Sequence, residues 1–153
     1  MARRVANEGA MSRRFLWMTL VALLSGCGVR RGDTILIPAE FEGWVQIHYR
    51  VSGAPELQLR GGTNLIEVPN SGIVKTSSSR SPGYGQDHYF STDSLGGRVE
   101  IPSDGSSKSG RSVSGFLYFS SPAQVTIFFV GEPNRMSLYQ QPTPEDFTEP
   151  EAK

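Results

Sequence analysis

The sequence predicts an all-β domain, a small antiparallel β-sandwich of about seven or eight strands. Three observations predict it. No window after residue 27 keeps apolar residues at the three- and four-residue spacing of an amphipathic helix. Short β-branched and aromatic runs recur instead, separated every few residues by Gly, Ser and Pro. One run, Gly43-Trp-Val-Gln-Ile-His-Tyr-Arg-Val51, alternates strictly. Val45, Ile47, Tyr49 and Val51 share one face and Trp44, Gln46, His48 and Arg50 the other, as a half-buried strand requires.

Taken in order, the other strands are expected at 34–37, 64–68, 72–76, 87–92, 97–101, 115–120 and 124–130. The last holds Val125, Ile127, Phe128, Phe129 and Val130, so it should be covered on both faces. Three strands end alike, at Ile37-Pro38, Val68-Pro69 and Ile101-Pro102, each with a Gly a few residues on. Proline lacks the N–H that would extend the ladder, and the glycine supplies the turn. The domain is placed at 33–131. Segments 77–86 and 103–114 are rich in Gly and Ser, carry basic residues and read as surface connections. The tail at 132–153 reads as disordered. From 140 onward it has four acidic residues, three prolines and one aromatic, Phe147.

The N-terminus is of another kind. Arg13-Arg14 precede the apolar run Phe15-Leu-Trp-Met-Thr-Leu-Val-Ala-Leu-Leu24, and Leu24-Ser-Gly-Cys27 follows. Ten helical residues cover roughly 15 Å, about half a bilayer core, so the run does not span a membrane. Basic head, short apolar run and small residues make a removable secretory signal, expected over 1–26. The final four residues resemble a lipobox, which implies cleavage before Cys27 and diacylglycerol on its sulfur. Cys27 is the single cysteine and so has no disulfide partner. Each buried CH₂ of an acyl chain contributes about 0.8 kcal/mol, so two chains or more hold a protein firmly. Met11 reads as a second start. Ser12-Arg-Arg-Phe-Leu-Trp17 fits the twin-arginine export pattern, although the general route is favoured because no cofactor-binding segment follows. A tether of 27–32 leaves the domain close to the membrane.

Charge argues against nucleic acid. Four of the fifteen basic residues and one of the fifteen acidic ones precede Cys27, leaving eleven against fourteen and a net charge of −3. Nucleic-acid binding needs clustered Lys and Arg.

The catalytic inventory is thin. His48 and His88 are the only histidines, and no Gly-x-Ser-x-Gly, His-Glu-x-x-His or phosphate-cradling glycine motif occurs. Asp87 precedes His88, but adjacent strand residues point to opposite faces. A metal held by His48 and His88 across strands is required by no spacing. No catalytic residue, metal or cofactor is expected, and an envelope hydrolase using His48 or His88 is the alternative. The face of Trp44, Gln46, His48 and Arg50 is the candidate contact surface, since an aromatic among hydrogen-bonding neighbours suits a glycan, peptide or protein. The competing account has Trp44 merely capping the sandwich.

Ile37-Pro-Ala-Glu-Phe-Glu-Gly-Trp-Val45, Val68-Pro-Asn-Ser-Gly-Ile-Val-Lys-Thr-Ser77 and Phe128-Phe-Val-Gly131 together resemble a family of bacterial lipoproteins of unknown function. The resemblance implies a secreted all-β domain and brings no activity, ligand or catalytic residue. The turns also resemble those of transthyretin-like sandwiches, and an immunoglobulin-like arrangement is the other expectation. The expected protein is lipid-anchored at the cell membrane or outer membrane. Its domain binds an envelope protein or glycan, or serves an envelope complex as an accessory subunit.

Overall fold

The computed structural model describes residues 32–80, 85–103, 110–120, 124–143 and 147. Nine strands form two sheets: β1 (Thr34–Pro38), β2 (Gly43–Tyr49), β3 (Gln58–Arg60), β4 (Thr63–Glu67), β5 (Ile73–Lys75), β6 (His88–Thr92), β7 (Arg98–Ile101), β8 (Ser112–Phe119) and β9 (Gln124–Gly131). A 3-10 helix follows at Pro133–Leu138. One sheet has the order β3-β4-β1-β6-β7 and the other β5-β2-β9-β8. The chain is all-β, as its patterning predicts, and the three proline-ended strands stop where expected.

The pairing differs from the antiparallel expectation, and the strands among the described residues number nine. β1 pairs in parallel with both β4 and β6, and β2 with β5. The cause is the route of the chain. It crosses between sheets after β1, β2, β4, β5 and β7. β1 and β4, β1 and β6, and β2 and β5 are therefore joined through strands of the other sheet and not by hairpins, which leaves them able to pair in parallel. β3 is the strand that patterning does not reveal, because its three residues are all exposed.

The core lies between the sheets. Ile35 and Ile37 of β1, Ile66 of β4, Tyr89 of β6 and Ile101 of β7 meet Val45, Ile47 and Tyr49 of β2, Val113 of β8, and Phe128 and Val130 of β9. Val45 stands directly across from Phe128 in the β2–β9 ladder, which fixes the phase of both strands. β2 ends at Tyr49 because Arg50 takes a left-handed φ of 61°. This turns Val51 out of the strand continued in the sequence pattern.

β8 begins earlier than expected and carries a β-bulge. Ser114 pairs with Phe129 but Leu117 with Ile127, one residue out of step. Gly115 absorbs the extra residue at φ 62°, a backbone conformation open to glycine. The bulge switches the strand's phase, so Phe116 joins the inner core while Leu117 and Phe119 pack on the outer face.

Arg111, just before β8, staples the two sheets. Its Nη1 donates to the Ala39 carbonyl at 2.7 Å and to Ser91 Oγ at 2.8 Å. Its Nη2 donates to the carbonyls of Pro38 at 2.8 Å and Phe41 at 2.7 Å. These acceptors belong to β6 and to the turn joining β1 to β2, so one planar fork locks a sheet-to-sheet crossing. Burial lowers the guanidinium pKa, while Glu40 and Glu42 raise it. Arg111→Lys keeps the charge but cannot present the fork. It should cost about 2 kcal/mol in denaturant unfolding; equal stability of the two proteins would remove Arg111 from the account.

Candidate functional site

The outer face of β2 and β9 holds the residues singled out by sequence. Trp44, Gln46 and His48 line it, and Arg50 lies beyond the strand end, exposed, with Nε donating to Ser79 Oγ at 3.1 Å. Three of the four are thus brought together and Arg50 is not. His48 Nε2 lies 3.1 Å from Gln46 Oε1, within hydrogen-bond reach.

The face is not open. Trp44 packs edge-on against Phe129 at 5.5 Å between ring centroids, and Phe129 meets Tyr139 at 5.3 Å. The indole N–H donates to the Tyr139 carbonyl at 3.4 Å. A Cβ at Gly115 would fall 2.8 Å from Met136 Sδ and 3.2 Å from the Trp44 ring, so the bulge glycine also makes room for this packing. At the other end of the face Phe147 is buried among Val125, Ile127 and Phe119. Its ring lies 5.5 Å from that of His48 and 5.3 Å from that of Phe119.

The C-terminal segment therefore covers the face at both ends. A disordered tail was expected here, and residues 133–138, Tyr139 and Phe147 depart from that expectation. Tyr139 and Phe147 bury apolar surface that β9 otherwise leaves to water. The sequence signal was in β9 itself, whose apolar residues on both faces demanded a second cover.

The histidines do not meet. His48 is on the outer face of one sheet. His88 begins β6 in the other sheet, next to inward-facing Tyr89, and its Nδ1 lies 3.3 Å from Glu100 Oε1 at the exposed surface. Asp87 does not orient His88: its Oδ1 accepts the Asp33 backbone N–H at 2.8 Å. Asp33 is itself buried and accepts from Asn64 Nδ2 at 2.9 Å. Among the described residues no group of three His, Cys, Asp or Glu side chains is arranged to hold a metal ion. Beside Asp87 lies an open cavity of about 350 Å³, reaching to Tyr89, Glu100 and Ser103, and no imidazole lines it. Cys27 lies outside the described residues.

Among the described residues Tyr49 is a strongly perturbed ionisable group. Burial first, and then the nearby Asp33 carboxylate, push its phenol from 10.0 up to about 12. The raised value means that the folded state holds the proton longer than the unfolded chain does. Stability from this source is complete below about pH 10 and is lost as pH climbs toward 12.

With this architecture in view, the class is a two-sheet, all-β domain with a packed C-terminal segment. The chain belongs to a family of unknown function, DUF6843, whose model matches residues 30–128. No curated protein matches it. A crystal structure described as that of a "putative lipoprotein" from Bacillus anthracis shares the fold. It aligns with a TM-score of 0.53 and 22% identity over 81% of this chain and 85% of that one.

Two measurements check the site. The chain has two tryptophans, Trp17 and Trp44, so in the chain from Gly28 onward the emission comes from Trp44 alone. Tyr139→Ala should shift it to longer wavelength as water reaches the indole; unchanged emission would show that the segment does not cover Trp44. On the alkaline side, unfolding free energy should fall by on the order of 2–3 kcal/mol between pH 10 and 12 through Tyr49. Tyr49→Phe should abolish that part of the loss, and an identical loss in the variant would contradict the assignment.

Proposed function

We propose that this is a lipid-anchored protein of the bacterial cell envelope, held through Cys27, whose β-sandwich works by binding or structural contact and not by catalysis. The observation that carries the anchor is the order of segments: basic head, ten-residue apolar run, Leu24-Ser-Gly-Cys27, and a fold that begins at once, at Asp33. Residues 1–31 lie outside the described residues, so this part rests on sequence. The fold neighbour described as a lipoprotein supports it. Among the described residues no helix is long and apolar enough to cross a membrane. The domain would stand outside the cytoplasm, at the cell membrane or the outer membrane.

Support for contact over catalysis comes from placement. A general base must reach the proton it takes, at about 2.6–3.2 Å, and hydrolysis needs a nucleophile beside that base. His48 sits between Gln46 and Phe147, and His88 faces Glu100. Trp44 and His48 would be fully accessible to an envelope protein or glycan with Tyr139 and Phe147 moved aside, while Arg50 is exposed as it stands.

Cys27→Ser should leave an unprocessed precursor that takes up no labelled fatty acid, and normal acylation of that protein would overturn the anchor. The chain from Gly28 onward should turn over no ester, peptide or glycan substrate. Turnover that vanishes in His48→Ala plus His88→Ala would restore the hydrolase.

A further inference from the structure

The strand directions gather several elements at one end of the sandwich. Thr34 opens β1 beside Leu65 and His88, and its Oγ1 lies 3.4 Å from Thr63 Oγ1. The chain entry at Asp33 and the β3–β4 turn at Arg60-Gly61-Gly62 are therefore neighbours. β2 runs the other way and delivers Arg50 to the same end, where the Arg50 N–H donates to the Ser78 carbonyl and that of Val51 to Thr76. Asp33 and Arg80 both act electrostatically on Tyr49, the last residue of β2.

This end is basic. Arg50, Arg60 and Lys75 are exposed, and Arg80 lies 4.2 Å above the Tyr118 ring centroid. Among the described residues none of the four forms an ion pair. Leu59, 73% exposed, stands next to Arg60. Gly61 keeps the turn slim, with no atom within 4 Å of an added Cβ there. Against these cations stand exposed Glu56, exposed Glu100, whose carboxylate lies 3.3 Å from His88 Nδ1, half-buried Asp87 and buried Asp33. The opposite end carries exposed Glu40, Glu67, Asp93 and Glu132 against Arg98. Among the described residues its other cations are engaged, Arg135 with Glu42 at 2.9 Å and Arg111 with main-chain carbonyls.

The tether leaves this end little freedom. Gly32 is wedged against residue 86, where a Cβ would collide with the Gln86 carbonyl oxygen. Only residues 28–31 then separate the fold from Cys27, a reach of about 17 Å. Two of them are Arg30 and Arg31.

We propose that this end is a membrane-facing surface: Arg50, Arg60, Lys75 and Arg80 lie against the anionic phosphate headgroups of the leaflet that holds the anchor, and the acidic end points outward. The orientation rests on anchoring through Cys27, although the surface itself is defined by the fold. Attraction of a basic residue to an anionic leaflet amounts to about fivefold in partitioning, and it fades within a Debye length of about 8–10 Å. The short tether brings the arginines into that range.

The test uses the chain from Gly28 onward, which contains every described residue and neither the apolar signal run nor lipid. It should sediment with vesicles containing phosphatidylglycerol, stay free with pure phosphatidylcholine, and be released by added salt. Arg50→Asn with Arg60→Gln and Arg80→Gln should lower the partitioning on the order of a hundredfold, Asn being chosen because it tolerates the left-handed φ. Arg60→Gln with Lys75→Gln touches no packing contact and should lower it about 25-fold, even if the triple variant fails to fold. Arg98→Gln, at the far end, should change nothing. Equal binding to both vesicle types, wild-type binding by the pair variant, or an equal loss in Arg98→Gln would overturn the surface. Fatty acid on Cys27 without charge-dependent binding would sink this surface alone. Charge-dependent binding without fatty acid would sink the anchor alone.

Discussion

The structure turns on a strand that is apolar on both faces. Phe128 and Val130 of β9 point into the space between the sheets, while Val125, Ile127 and Phe129 point away from it. All five are essentially buried. The first sheet covers only the inner set. Leaving an outer Phe, Ile and Val in water forgoes about 1.5–3 kcal/mol each, a large share of a small domain's net stability. A second layer is therefore required. The chain supplies it from its own C-terminal segment, through Met136 and Tyr139 at one end of the face and Phe147 at the other. The sandwich is in effect three layers deep over β9.

That constraint decides what is open for function. The Trp44 face looks like a binding platform when β2 is considered alone, but its indole already has a hydrogen-bond acceptor and aromatic neighbours within the chain. What remains accessible is the basic end around Arg50 and Arg60 and the cavity beside Asp87 and Glu100. The fold keeps these apart from the covered face by carrying the chain back and forth between sheets. Each crossing must be held in place, and Arg111 holds the first one by converging on the turn after Pro38.

Much of this was legible in the sequence, for identifiable reasons. The β2 alternation located Val45, Ile47 and Tyr49 in the core because side chains in a strand must alternate. The Ile-Pro and Val-Pro pairs marked strand ends because proline cannot donate. Residue types carry no comparable mark for pairing direction, so the parallel neighbours of β1 and β2 were invisible. β3 escaped because a fully exposed edge strand needs no apolar residue. Gly115 was read as a strand boundary, since a glycine that opens a bulge and one that ends a strand look alike locally. Arg111 sat in a Gly/Ser-rich stretch with nothing to separate it from a solvated arginine. The tail was misjudged for a related cause. Its proline and acidic content describes an unfolded chain on average, but one phenylalanine meeting an uncovered apolar face suffices to dock it.

The docked tail is where the account is most exposed. A double-mutant cycle between Phe119→Ala and Phe147→Ala, read by denaturant unfolding, isolates the contact between the outer face and the C-terminal segment. Rings 5.3 Å apart and tilted should couple. The predicted interaction energy is about 1 kcal/mol. Strictly additive losses, or a Phe147→Ala protein as stable as the parent, would mean that the segment is not docked and that the Trp44 face is open after all.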